Sequence, residues 1–221
     1  MKRILYDLAA GDESVRFSPY CWRTKLALAH KNLEYETVPW HFTEKDVIAF
    51  SGQGKVPVLV DGTKVVADSQ AIAEYLEVAY PNEASLFGDP PSRALTHFVK
   101  GWADETLNPT IARIVLPDIF PLLAAKDQGY FRETRERLWG MRIEDFYTDR
   151  ARYIAEFNWA LKPLRSTLAV QSFIAGASPS YADHIVFGSL QWARLMSATV
   201  LFEPGDRVVE WMDAVLEAYG L

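Results

Sequence analysis

One cysteine, Cys21, stands in the 221 residues. An internal disulfide is thereby excluded, and with it the stapled scaffolds of small secreted proteins. Histidine is nearly as scarce: His30, His41, His97 and His184 lie too far apart for a short metal-binding motif, and no metal is expected. Basic charge is in deficit. Against 29 Asp and Glu there are 23 Lys and Arg, a net charge of -6, which argues against the broad cationic face that nucleic acid requires. Long apolar runs are missing too. The N-terminus meets Asp7 before a hydrophobic stretch can develop, and no later window is apolar enough to span a bilayer, so no membrane is expected and the expected location is cytoplasmic. What is present is the composition of a globular protein, 49% apolar and 24% charged, long enough for one large domain or two small ones.

Two kinds of periodicity divide the chain. Lys2 to Leu8 and Glu34 to Trp40 read as strands, Pro19 to Lys31 as a helix between them, and Glu44 to Ser51 as a short helix. Val56 to Val60 and Lys64 to Val66 read as a hairpin turned at Asp61-Gly62, and Asp68 to Ala79 as a closing helix. This is a small α/β unit over residues 1–80. A segment rich in Pro, Asn, Asp and Gly then forms a linker at 81–92, and an all-helical part follows over 93–221, with helices near 93–124, 128–150, 151–169, 181–199 and 205–219. Ser180 and Asp183 are spaced as a capping box, a structural device.

Three short motifs in the first part carry chemistry. In Phe17-Ser18-Pro19-Tyr20-Cys21, proline suits a first helical turn and places Ser18 at the N-cap. The motif resembles the redox site of glutaredoxins with serine in place of the first cysteine, so the nucleophilic thiolate is lost. A hydroxyl and the positive end of a helix remain, and both suit a thiolate brought by a ligand. Val56-Pro57-Val58 puts a proline at a strand start, where free backbone groups can bond a peptide-like ligand. Asp68-Ser69 opens a helix that can receive an amino-acid head group through amides, a hydroxyl and a carboxylate. Each feature also has an ordinary reading: Ser18 as a plain cap, Asp68-Ser69 as another, Pro57 as an edge-strand proline, Cys21 as a buried helix residue and Tyr6 as a strand residue. In the helical part the aromatic residues Trp102 and Tyr130 are candidate walls of a hydrophobic pocket, and the run Arg132 to Arg137 reads as a solvated helix face.

Taken together and in this order, these motifs, with the later Ser-x-x-Asp box, resemble the cytosolic glutathione transferases over essentially the whole chain. The runs Tyr6-Asp7-Leu8, Ser18-Pro19-Tyr20, Val56-Pro57-Val58 and Asp68-Ser69 resemble the bacterial β-etherase-like group, whose best-known members cleave aryl ethers of lignin fragments with glutathione; the long C-terminal extension of those enzymes is absent. The resemblance implies a thioredoxin-like N-terminal domain, an all-helical C-terminal domain and a homodimer. It implies that Pro57 is cis, that Val56 pairs with the cysteinyl unit of glutathione, that Ser18 contacts the thiol, and that Asp68 and Ser69 bind the γ-glutamyl end. His41, Gln53 and Lys55 are candidates for the glycine carboxylate, Lys55 being the best charge partner. The expected reaction is attack of the glutathione thiolate on a hydrophobic, aromatic electrophile, β-aryl ether cleavage being its sharpest form. The alternatives are a non-catalytic binder of the tripeptide and a thiol-disulfide oxidoreductase using Cys21.

Overall fold

The computed structural model of the chain describes residues 2–221. Its first part is built on a four-stranded sheet in the order β2-β1-β3-β4. β1 (Arg3–Leu8) runs parallel to β2 (Glu36–Trp40) and antiparallel to β3 (Val58–Asp61), which turns back into β4 (Lys64–Ala67). Parallel neighbours need a crossover, and α1 (Pro19–His30) supplies it between β1 and β2. The hairpin turn is tight, since Asp61 pairs with Lys64 and Gly62 takes the positive φ of 60° that the turn demands. α2 (Ser69–Ala79) closes the unit by burying Ile72, Ala73 and Leu76 against Leu5, Leu28 and Leu59. The thioredoxin-like arrangement is present. The short helix near 44–51 is of the tighter 3-10 type, Lys45–Ser51.

From Pro90 the chain is helical: α3 (Pro90–Trp102), α4 (Asn108–Ile119), α5 (Ala125–Trp139), α6 (Arg150–Ala160), α7 (Lys162–Leu168), α8 (Tyr181–Met196) and α9 (Arg207–Tyr219). Several boundaries differ from expectation for backbone reasons. The first helix starts earlier, because Asp89 accepts the Ser92 N–H at 2.9 Å and Pro90 fits the first turn. It is also not one helix: a π-helical turn at Ala103–Leu107 joins α3 to α4 where Pro109 has no N–H to give an α-helical ladder. Gly129 does not interrupt α5, which ends instead at Gly140 with its φ of 66°. The helix expected over 151–169 is two, stepped at Leu161 before Pro163.

The largest apolar cluster joins the two parts, packing Leu8, Phe17 and Trp40 with Val115, Phe131 and Phe187. α1 lies directly on α8. Gly188 permits this approach, because a Cβ there would stand 2.3 Å from the Pro19 carbonyl oxygen. The start of α8 is fixed by the expected capping box: Asp183 accepts from the Ser180 amide at 3.0 Å, and also from the Ile174 amide at 2.8 Å and the Trp211 indole at 3.0 Å. Among the described residues no helix is long and apolar enough to cross a membrane.

Candidate active site

Ser18 ends the loop after β1 with an extended backbone, φ -63° and ψ 124°, and Pro19 sets the first helical turn after it. Its Oγ accepts the Cys21 N–H at 3.3 Å. Although only 4% exposed, Ser18 lines a cleft of about 480 Å³ between the sheet unit and the helices. Lys55 and Val56 share its lining with Ser18, and Trp40 and Phe42 continue the wall on that side. Across the cleft stand Ala112 and Leu116 of α4, Tyr130 and Trp139 of α5, and Trp192 of α8. A larger hollow of about 570 Å³, near Arg3, Tyr35 and Leu221, contains none of the candidate residues.

The other candidates fall into two groups. The Val56-Pro57 bond is cis, and the Pro57 carbonyl accepts the Asp68 N–H at 3.3 Å, which sets the start of α2 beside the cleft wall. Asp68 Oδ1 caps α2 by accepting from the Gln70 and Ala71 amides at 2.9 and 3.1 Å. Its φ of 80° is uncommon for a residue with a Cβ, and such outliers gather at ligand sites. Ser69 is buried, its carbonyl accepting the Tyr181 hydroxyl at 2.8 Å, so α8 anchors this helix end. Gln53, Pro57, Asp68 and Ser69 are not among the residues that line the cleft, although Pro57 follows the lining residue Val56 directly.

His41 is elsewhere. Its ring is buried, with Nδ1 3.6 Å from Asp127 and Nε2 3.4 Å from Glu13, so it tethers α5 to the first part and is absent from the cleft lining. Trp102 packs half-buried on the helical core and is likewise absent, whereas Tyr130 does line the cleft. Tyr6 packs against Phe50, with ring centroids 5.5 Å apart. Cys21 is fully buried; burial, reinforced by the Asp7 charge, pushes its thiol well above the ordinary value.

Three charged residues of the cleft escaped the sequence reading. Lys45 Nζ donates to the Gly54 carbonyl at 2.6 Å and lies over Trp40 and Tyr130, 4.7 and 5.0 Å from their centroids. Asp104 sits in the π-helical turn. Burial pushes its carboxyl up, but Arg23 and Lys100, both at 2.7 Å, outweigh burial and hold it below the ordinary value. Arg135 belongs to the run read as a solvated face. Arg132 and Arg137 do pair at the surface with acids, while Arg135 turns into the cleft. No spacing signal separates it from its neighbours.

Comparison with known proteins accounts for both parts of the chain. The family model for the glutathione S-transferase N-terminal domain matches residues 17–79, and that for the glutathione S-transferase C-terminal domain matches residues 94–219. Glutathione S-transferase U28 of Arabidopsis thaliana is 25% identical over 79% of this chain and 68% of its own length, and maleylacetoacetate isomerase of Pseudomonas aeruginosa 29% identical over 73% and 71%. Among solved structures, glutathione transferase GSTFuA3 of Phanerochaete chrysosporium superimposes with a TM-score of 0.85 at 25% identity, covering 99% of this chain and 97% of that one. A glutathione S-transferase of Ceriporiopsis subvermispora, solved in complex with glutathione, reaches 0.89 at 22% identity over 100% and 98%. With its sheet unit and its helical part each matched by the corresponding domain, the chain belongs to the glutathione S-transferase family.

Proposed function

We propose that this chain is a glutathione transferase in which Ser18 keeps the tripeptide's thiol ionised for attack on a hydrophobic, aromatic electrophile held in the cleft. The observation that carries this reading is the placement of the Ser18 hydroxyl at a helix N-terminus, on the wall of an aromatic-lined cleft. The magnitudes are sufficient. Lowering a thiol pKa by about two units from about 8.5 requires ~2.7 kcal/mol. A hydrogen bond to a charged sulfur contributes ~1.5–3 kcal/mol and a helix N-terminus a further ~0.3–1 kcal/mol.

In this reading residues 1–80 hold the tripeptide, 81–92 link, and the helices from 93 onward supply the acceptor wall. The Val56 backbone pairs with the cysteinyl unit, and Asp68 and Ser69 receive the γ-glutamyl group. Lys55 and Gln53, joined by Lys45 and without His41, serve the glycine carboxylate. The thiolate forms a C–S bond to the electrophilic carbon, and the leaving group departs with its bonding electrons; a phenolate leaving from a β-aryl ether is the sharpest case. The buried Cys21 disfavours an oxidoreductase. A homodimer fits the exposed Val78, Leu95 and Phe98 on α2 and α3, two helices joined by the Arg93–Glu74 ion pair, and sedimentation equilibrium tests it.

The deciding experiment is conjugation of glutathione to 1-chloro-2,4-dinitrobenzene by the wild-type chain and Ser18→Ala. The expected loss in kcat/KM is about ten- to hundredfold, with the thiolate absorbance of bound glutathione titrating at higher pH in the variant. Glutathione binding without conjugation of any electrophile would favour the non-catalytic binder.

A further inference from the structure

The acceptor end of the cleft holds a cation with no anion. Arg135 reaches the lining from α5, stacked between aromatic rings, its Cζ 4.9 Å from the centroid of Phe131 and 5.4 Å from that of Phe42. Among the described residues only its Nη1 donates, to the Thr134 hydroxyl at 2.9 Å. Among the described residues no carboxylate lies within 4.0 Å of it, although Arg132, Arg137, Arg113 and Arg150 all have one. The acid that does line the cleft, Asp104, is committed to Arg23 and Lys100. A half-buried guanidinium costs desolvation that nothing in the chain offsets, and its burial pushes it below the ordinary arginine value. Its planar fork is held in place by the two rings and is suited to a bidentate carboxylate.

We propose that Arg135 is the anion-recognising residue of the acceptor site, so that the preferred acceptor is an aromatic compound bearing a carboxylate. This rests on reading the cleft as the acceptor site of a transferase. Lys45 also stands near Tyr130, but it is tied to the Gly54 carbonyl and in the proposed function serves the glycine carboxylate of the tripeptide, whereas Arg135 has no such assignment. The aromatic body of the acceptor lies among Tyr130, Trp139 and Trp192, and its carboxylate meets the fork from α5. Arg135 is thus a specificity residue, separate from the thiol chemistry at Ser18.

The test uses two unreactive probes of one shape, 2-naphthoate and 2-naphthamide, titrated calorimetrically into the intact, glutathione-saturated chain. Wild type is expected to bind the carboxylate about ten- to hundredfold more tightly than the amide. In Arg135→Leu that ratio falls to about one. Arg135→Lys keeps part of it, having the charge without the fork, and Arg135→Gln substitutes for the leucine variant should the latter not fold. A wild-type ratio near one, no binding of naphthoate, or a ratio that survives removal of the guanidinium overturns the proposal. So does a variant that loses glutathione affinity and keeps the ratio, since Arg135 would then serve the tripeptide. Failure of wild type to bind glutathione in its own titration overturns the transferase reading instead.

Discussion

Ser18 uses the two halves of one hydroxyl differently. Its oxygen accepts the Cys21 amide, which a cap requires, and in the proposed function its hydrogen is donated to the thiolate of the tripeptide. Three positions on, Cys21 has the opposite character, fully buried with its thiol pushed well above the ordinary value by burial and by Asp7. Neither access nor ionisation then supports thiol exchange. Iodoacetamide at about pH 8 should leave Cys21 unmodified in the native chain, with mass spectrometry showing full alkylation only in urea, a rate ratio of at least about a hundredfold. Native labelling at the denatured rate would restore the oxidoreductase reading. Both residues were legible because cap chemistry and proline placement are local. His41 was not: its segment suits a carboxylate-binding donor, and only the fold shows Asp127 and Glu13 occupying its ring. Arg135 was unreadable for the same reason, since alternating charges on a helix look alike until one side meets a cleft.

At the scale of elements, the site depends on how α8 seats α1. Gly188 lies against the first turn of α1, where an added Cβ would meet the Pro19 oxygen at 2.3 Å and Arg23 Cγ at 3.2 Å. Backbone cannot yield as a side-chain tip can, so Gly188→Ala should force the helices apart and cost about 1–3 kcal/mol despite alanine's better helix propensity. Because Pro19 follows Ser18, glutathione affinity should fall with stability. Gly101→Ala in α3 is the control. Nothing lies within 4 Å of its added Cβ, and it should be neutral or stabilise by up to about 1 kcal/mol. Urea midpoints of the two variants check this, and equal effects would refute the close-approach argument. Sequence periodicity found the helices as such, and the caps at Ser18, Asp68 and Ser180 were readable. It did not find the π-helical turn before Pro109, because a proline near a helix start and a proline that widens a running helix leave the same local pattern.

At the scale of the molecule, one partly buried polar chain crosses from the first part to the last helix. In the neutral ring His30 Nε2 donates to the Ser85 carbonyl at 3.0 Å, which leaves Nδ1 to accept the Tyr219 hydroxyl at 2.8 Å. Having given its one hydrogen, Tyr219 can only accept at 2.8 Å from His184 Nε2. Burial keeps His184 neutral, and its Nδ1 is then a buried lone pair with no partner among the described residues. A proton added there would have no acceptor. Burial lowers both histidines from the ordinary 6.5, His184 furthest, and each suffers a further lowering from a neighbouring cation, Lys31 for His30 and a charged His30 for His184. Because the folded values lie below the unfolded one, the unfolded chain binds more protons under about pH 6.5, and stability falls as pH drops through that window. The slope can reach ~1.4 kcal/mol per pH unit for each proton taken up. The lowered carboxyls Glu77, Asp104 and Asp206 act only in more acid solution, whereas the buried Asp183, raised by desolvation, opposes the decline from the acid side, so the histidine effect is read in the upper part of the window, just below about pH 6.5. Urea midpoints should therefore decline across this range in wild type and decline less steeply in His184→Gln, which begins less stable at neutral pH because the packed ring is lost. A flat wild-type profile, or equal slopes in both proteins, would show that the trio does not link proton uptake to the union of the two parts.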